Sequence, residues 1–198
     1  MGKIEQKKEL KRANILKAAL HVFLSEGYIG AGMDRIAEQA GVTKQTVYRY
    51  FESKENLFRN ALEALRESNP NHFLNELDNP DTRKALTRFA QGFLGVHLSE
   101  THLAGIRLLV AEGPEAPEMT RAFFAVGQKQ TTETLARFLR ERLGADDPDY
   151  SVKFFLGALL SLRMSVLVGL FPPPSAEVIA KHADRTVRQF LRMFPEVR

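Results

Sequence analysis

Apolar residues recur at three- and four-residue spacing along most of the chain, the repeat of a helix with one buried face. No stretch alternates apolar and polar residues between turn dipeptides, as a half-buried strand would, so an all-α protein is expected. Ile15, Ala18, Ala19, Val22 and Phe23 make the first stripe, and Gly27 follows where a glycine would end that helix. Short helices are predicted near residues 33 to 40 and 44 to 50, with a longer one opening at Ser53. Asn79-Pro80-Asp81 and Asp147-Pro148-Asp149 each set a capping oxygen ahead of a proline, whose missing N–H costs nothing at the first helical position. Gly113-Pro114 and Pro172-Pro173-Pro174 are breaks, and Ser175 is placed to cap the last helix. The pattern amounts to about nine helices.

Charge changes this picture once it is located. The net charge is +4; residues 1 to 66 hold twelve Lys/Arg against eight Asp/Glu, and the remainder holds sixteen of each. A basic first third joined to a neutral remainder points to an N-terminal part that meets a polyanion and a second part with another task. Composition mainly excludes. With 44% hydrophobic and 26% charged residues, 198 in all, the chain is neither disordered nor fibrous and can bury a core unaided. Without cysteine it has no disulfide, no thiolate metal site and no thiol nucleophile. The start, Met1-Gly2-Lys3-Ile4-Glu5-Gln6-Lys7-Lys8, is polar, and the apolar stretch from Phe154 to Phe171 is interrupted by Arg163 and by serines, so a cytoplasmic protein is expected.

The informative segment runs from Met33 to Phe51. Ala37 is small where two helices must cross, Gly41 can turn the chain, and Ile36, Ala40, Val42 and Val47 supply apolar contact between the helices. Thr43 can cap the second helix. With Val47 facing inward, Lys44, Tyr50 and Phe51 fall within about 60° of it, and Gln45 and Arg49 lie nearly opposite. Thr46 and Tyr48 flank the outer face. A polar helix face is usually only solvated. This one, however, follows a helix-turn-helix pattern and carries the charge excess, and its residue types suit the major groove: Arg pairs bidentately with guanine, Gln with adenine, and Thr and Tyr bond phosphate or pack on thymine methyls. Lys54 adds a charge for phosphate.

Gly27-Tyr28, Ile36-Ala37, Ala40-Gly41-Val42-Thr43-Lys44, Val47-Tyr48-Arg49-Tyr50-Phe51 and Ser53-Lys54-Glu55-Asn56-Leu57-Phe58 together resemble the TetR family of bacterial one-component regulators over about the first 60 residues. Val110-Ala111-Glu112-Gly113-Pro114, Pro117-Glu118 and Phe123-Phe124 resemble the C-terminal part of an AcrR-like or AefR-like branch. The resemblance implies a homodimer on a palindromic DNA operator, with a small-molecule effector bound in the C-terminal domain. It also implies that Lys44 and Gln45 approach bases, that Thr46, Tyr48, Tyr50 and Lys54 touch the backbone, and that Arg49 does either. One departure stands out: the family usually has Ser or Thr before the first motif helix, whereas here the residues are Ala31-Gly32-Met33, which removes a side-chain phosphate contact at residue 32. A helix-turn-helix domain over residues 1–52 and an effector and dimerisation domain over residues 53–198 follow.

Other chemistry is thinly represented. Of His21, His72, His97, His102 and His182, no two stand at the i, i+4 spacing of a helical metal site, so no metal is expected, and no cofactor either. No nucleophile elbow, P-loop or dinucleotide fingerprint appears. Eleven of the fourteen phenylalanines lie after residue 66, beside Gly92, Gly95, Gly105 and Gly127, which are costly inside helices and therefore mark close crossing or space for a ligand. An apolar or amphipathic effector is expected against Phe89, Phe93, Phe123, Phe124 and Phe155, with polar contacts from His97, His102, Arg107, Gln128 and Thr131. Small residues at every fourth position, Gly157, Ser161, Ser165 and Gly169, suggest a face for a second chain, joined by Val187, Phe190 and Leu191. The competing class is a helical enzyme or carrier for a lipid-like molecule, which would show turnover or ligand binding without effect on DNA.

Overall fold

The computed structural model describes residues 2–68, 72–126 and 128–194, and all regular structure among them is helical. The α-helices, in order, are α1 (Lys3–Glu26), α2 (Met33–Gln39), α3 (Lys44–Tyr50), α4 (Lys54–Ser68), α5 (His72–Asn75), α6 (Thr82–His97), α7 (Glu100–Glu112), α8 (Pro117–Ala125), α9 (Gln128–Leu143), α10 (Pro148–Leu159), α11 (Arg163–Leu167) and α12 (Ala176–Phe190). Three short 3-10 turns, Glu76–Asp78, Leu160–Leu162 and Leu191–Met193, complete them. Of the helices beyond the expected nine or so, one arises because an apolar segment is split into α10 and α11 by a 3-10 turn, and another is the four-residue α5, which carries no periodic signal of its own.

Several helix ends follow local chemistry. The side chains of Thr43, Asp147 and Ser175 accept the backbone N–H of Thr46, Tyr150 and Val178, and Pro148 takes the first position of α10. The expected start at Asn79-Pro80 is displaced. Asp81 is the cap of α6, accepting from Lys84 N–H, while Asn79 closes the preceding 3-10 turn and its Oδ1 accepts from Asp81 N–H at 3.0 Å. Asp81 wins because its carboxylate stands three residues before a free helical N–H, the geometry a cap needs.

Two packing units result, one from residues 1–70 and 104–127, the other from residues 71–103 and 128–198. In the first, Ile15, Val22, Phe23, Ile36, Val47, Leu57, Phe58 and Met119 form a core in which α1 packs on α2 and α4, and α4 on α8. Phe23, Tyr28 and Phe58 meet with ring centres 5.1 to 5.6 Å apart. In the second, α6 packs on α5 and α12, and α10 on α9 and α12. Phe73, Phe89, Phe93, Phe155 and Phe190 are its aromatic spine. Gly92 has a packing reason: a Cβ there would stand 2.5 Å from Phe73 Cβ, so only glycine lets α5 lie this close to α6.

The run Pro148–Leu167 is long and apolar enough to cross a membrane by length and composition alone. Within it the 3-10 turn Leu160–Leu162 separates α10 from α11, and Arg163 opens α11. Val152, Phe155, Leu159 and Val166 face the core of the second unit, while Tyr150, Phe154 and Met164 are exposed.

Candidate nucleic-acid interface

The turn between α2 and α3 is a Schellman closure. Val42 N–H bonds the Ala37 carbonyl and Gly41 N–H the Glu38 carbonyl, each at 3.0 Å, with Gly41 at φ +64°. That left-handed residue redirects the chain, and Thr43 then caps α3. Val47, fully buried, seats α3 in the core of the first unit, and Ala37 keeps the crossing with α2 close. What remains outward is Gln45, Tyr48 and Arg49, all exposed, as the helical arithmetic requires.

The outer residues differ in how free they are. Lys44 Nζ lies 2.7 Å from Asp34 on α2, and this ion pair raises its pKa. The Arg49 guanidinium lies over the Tyr50 ring at 5.8 Å. Tyr50 is half-buried, and its hydroxyl donates to the Lys8 carbonyl at 3.5 Å, bringing that turn of α1 beside the end of α3. The Thr46 hydroxyl is 2.9 Å from that of Thr43 and so is partly committed to the cap. Gly32 opens α2 with no side-chain cap bond.

Lys54 is the least free. Its Nζ donates to the carbonyls of Ile29 and Ala31, at 3.1 Å each, and sits 4.8 Å from the centre of the Tyr28 ring. Burial lowers its pKa, against the opposing charges of Glu112 and Glu118. An ammonium has three protons, so one is left for a phosphate.

Here the structure adds residues that sequence reasoning missed. Glu112, at the end of α7, accepts Ile29 N–H at 2.7 Å, and its carboxylate fills the space where a Cβ at Gly27, φ +85°, would collide. Burial, together with the nearby Glu118 carboxylate on α8, pushes the Tyr28 hydroxyl up to about 12. The 27–31 turn that leads into α2 is thus clamped from α7 by Glu112. Partners separated by 83 positions leave no local signature, although Glu112 and Glu118 both stand in the segment singled out for its family resemblance. Lys7 and Lys8, exposed on α1, are further cations near α3 that the sequence pattern did not single out.

The effector and dimer candidates fall apart by unit. Phe89, Phe93, His97, His102, Thr131 and Phe155 belong to the second unit; Arg107, Phe123 and Phe124 belong to the first. Phe89, Phe93, Phe155 and Thr131 are buried, His97 and His102 half-buried, and Arg107 and Phe124 exposed. Gly105 has a packing reason, since a Cβ there would come within 3.1 Å of Phe123. The Gln128 side chain and Gly127 lie outside the described residues.

On the expected dimer face, Gly157 and Ser161 are exposed and Ser165 half-buried. Val187 and Phe190 are corrected: both are enclosed in this chain's own core, where no second chain can reach them, and Leu191 packs partly buried against that core. Gly169 is corrected too. It stands past the end of α11 at φ +75°, its N–H bonding the Val166 carbonyl and that of Leu170 the Ser165 carbonyl, so it terminates the helix and does not continue the small-residue stripe.

Comparison with known proteins agrees with this geometry. A model for bacterial regulatory proteins of the tetR family matches residues 15–61, and one for the C-terminal domain of AefR-like transcriptional repressors matches residues 84–195. The transcriptional regulator UidR of Escherichia coli K12 is 27% identical over 93% of this chain and 91% of its own length. The crystal structure of a TetR-family regulator from Mesorhizobium loti MAFF303099 aligns with a TM-score of 0.80 at 27% identity, covering 94% of this chain and 97% of that one. The flavonoid-responsive regulator FrrA aligns with a TM-score of 0.74 at 30% identity, covering 93% and 97%. Relatives and neighbours are transcriptional regulators and not enzymes. With a Schellman-turned helix-turn-helix in its first unit and both halves of the chain matched, this protein belongs to the TetR family of bacterial DNA-binding transcriptional regulators.

Proposed function

We propose that this chain acts as a homodimeric, cytoplasmic repressor that holds a palindromic operator and lets go when a small apolar or amphipathic molecule binds its C-terminal domain, residues 53–198. The carrying observation is the outward face of α3, where Gln45, Tyr48 and Arg49 stand exposed over a fully buried Val47. In this reading Gln45 and Arg49 read base edges, Lys44 exchanges Asp34 for DNA, and Thr43, Thr46, Tyr48, Tyr50 and Lys54 hold the backbone. Two such helices must reach successive major grooves roughly 34 Å apart, which requires a rigid dimer. The apolar residues exposed on and after α10 and α11, namely Phe154, Met164, Val168, Leu170 and Phe171, support a second copy as the cover, with Gly157 and Ser161 allowing close approach. The responsiveness of FrrA to flavonoids supports a small-molecule effector here.

Selection of bound sequences from random duplex DNA tests the reading, with light scattering on the same sample. A selected palindrome bound by a dimer is the expected outcome; equal affinity for all duplexes would end the regulator assignment. If a small molecule is to be the switch, its affinity must differ between free and operator-bound protein, and a coupling of ~1–3 kcal/mol changes operator affinity about 5- to 150-fold.

A further inference from the structure

The positive charge of the first third of the chain is concentrated at the start of α1. Residues 1–13 hold five Lys/Arg, namely Lys3, Lys7, Lys8, Lys11 and Arg12, against Glu5 and Glu9, whereas residues 14–66 hold seven against six. Three of the four net charges therefore precede residue 14. Around the helix-turn-helix the cations are already engaged: Arg35 pairs with Glu26 at 2.8 Å and Glu38 at 2.9 Å, Lys44 with Asp34 at 2.7 Å, and Lys54 with two carbonyls, while the Arg49 guanidinium lies over Tyr50. The excess that suits a polyanion is carried by α1.

From Ile15 onward one side of α1 is in the core, with Ile15, Ala19, Val22 and Phe23 buried. At ~100° per residue Lys8 and Lys11 fall within about 40° of Ile15 and Lys7 within about 80°, with Glu5 and Glu9 toward the other flank. The stripe that is apolar in the body of the helix is thus cationic in its first three turns. Arg12 marks the change: its Nη2 donates to Asn60 Oδ1 on α4 at 2.7 Å, and its guanidinium lies 5.6 Å from the centre of the ring of Phe51, the residue that ends α3. One turn earlier the Tyr50 hydroxyl donates to the Lys8 carbonyl at 3.5 Å. Two successive turns of α1 therefore meet the end of α3, and the cations are carried about 6 to 8 Å along the axis from Arg12. Lys7 and Lys8 are exposed and Lys11 half-buried, and the contact at Lys8 uses its backbone and leaves the ammonium out. Lys7 and Lys8 precede Lys11 by four and three residues, spacings at which like charges repel on a helix surface, a cost that an apposed polyanion removes.

We propose that the first three turns of α1 form a second DNA contact, in which Lys7, Lys8 and Lys11 lie along phosphates beside the groove that α3 enters. The proposal rests on the reading of α3 as the operator-binding helix. A lysine is a point charge on a flexible stem, which attracts phosphate and reads no base edge. The two helices then divide the work: α3 sets which sequence is held, and α1 sets how tightly any duplex is held and how steeply that falls with salt.

In the full-length protein Lys7, Lys8 and Lys11 are changed together to Gln, which keeps helix propensity, and in a second variant together to Arg, which keeps the charge. Binding to fluorescein-labelled duplexes, one carrying the selected palindrome and one of mixed sequence, is followed by anisotropy over a range of salt concentrations. The glutamine variant should bind both duplexes weaker by a common factor of about ten or more, and the slope of log affinity against log salt should flatten by up to about five for a dimer, while the arginine variant stays near the unaltered chain. Phosphate ethylation interference should show phosphates that matter to the unaltered chain and no longer to the glutamine variant. Where circular dichroism shows that the triple change unwinds α1, Lys7→Gln, Lys8→Gln and Lys11→Gln taken singly should each flatten the slope by about two for a dimer. An unchanged slope, a loss confined to the palindrome, or no released phosphate would each overturn the proposal. So would binding to anionic phosphatidylglycerol vesicles that the glutamine change abolishes while the DNA slope stays as it was, which would assign the cations to a lipid surface. The two ideas fail separately: a kept palindrome preference with an unchanged slope removes the α1 contact alone, whereas lysine-dependent binding that is equal on all duplexes keeps that contact and removes the regulator reading.

Discussion

Two helical faces are left uncovered in this protein, and they are made of opposite materials. On α3 the face away from Val47 carries Gln45, Tyr48 and Arg49; on α10 and α11 the face away from Phe155 and Val166 carries Phe154 and Met164. Both helices obey the same rule, one stripe in the core and one outside. The difference lies in what the outer stripe prefers as a neighbour: hydrogen-bonding heads suit grooves and phosphates, whereas exposed apolar side chains suit another protein surface. An inner stripe reports the fold, and an outer stripe the partner.

The sharpest way to break that comparison is to exchange inner and outer within one helix. Phe155→Ala empties a fully buried position and should cost ~3–5 kcal/mol in a denaturant titration, whereas Phe154→Ala, one residue away and half exposed, should cost the monomer less than ~0.5 kcal/mol. Phe154→Ala should instead weaken self-association, read as a rise in the dimer dissociation constant. Equal losses of stability would mean that the outer stripe belongs to this chain's own packing.

On the polar face, changing Gln45 and Arg49 together to alanine should remove ~1–3 kcal/mol per contacted base pair and relax sequence choice, with thermal stability unchanged. Equal loss on specific and random duplexes would deny base readout to α3. Between these extremes stands the clamp on the 27–31 turn. Glu112→Gln keeps an acceptor for Ile29 N–H but loses its charge, and should cost ~1 kcal/mol, visible as faster amide exchange at Ile29 before any change in global unfolding. The smallest effect is expected at Lys54, whose Nζ already serves two carbonyls. Lys54→Ala should weaken all duplexes alike and flatten the salt dependence by about one counterion. A change in sequence preference there would show that the loosened 29–31 turn had tilted α2 and α3.

How much of this was readable beforehand depends on how far apart the partners lie. The helix-turn-helix was legible because its logic is local: Gly41 for a left-handed turn, Thr43 for a cap, Val47 for the inward side, all within seven residues. The effector candidates have no such local logic, because phenylalanines recur at helical spacing whether they line a pocket or fill a core; Phe89, Phe93 and Phe155 are buried in the second unit's aromatic spine. Gly92 and Gly105, read as possible space for a ligand, answer instead to Phe73 and Phe123.

Taken alone, the amino-acid order determined the helical class, most helix caps, the outward polar face of α3 and the family, since these depend on spacing of a few residues and on intrinsic backbone preferences. Only the tertiary structure decided that Lys54 is tied to the carbonyls of residues 29 and 31, that Glu112 holds the turn before α2, and that Val187 and Phe190 serve the core. Each of those facts concerns groups distant along the chain, and a hydrogen bond or a packing contact between such groups exists only once folding has set the distance between them.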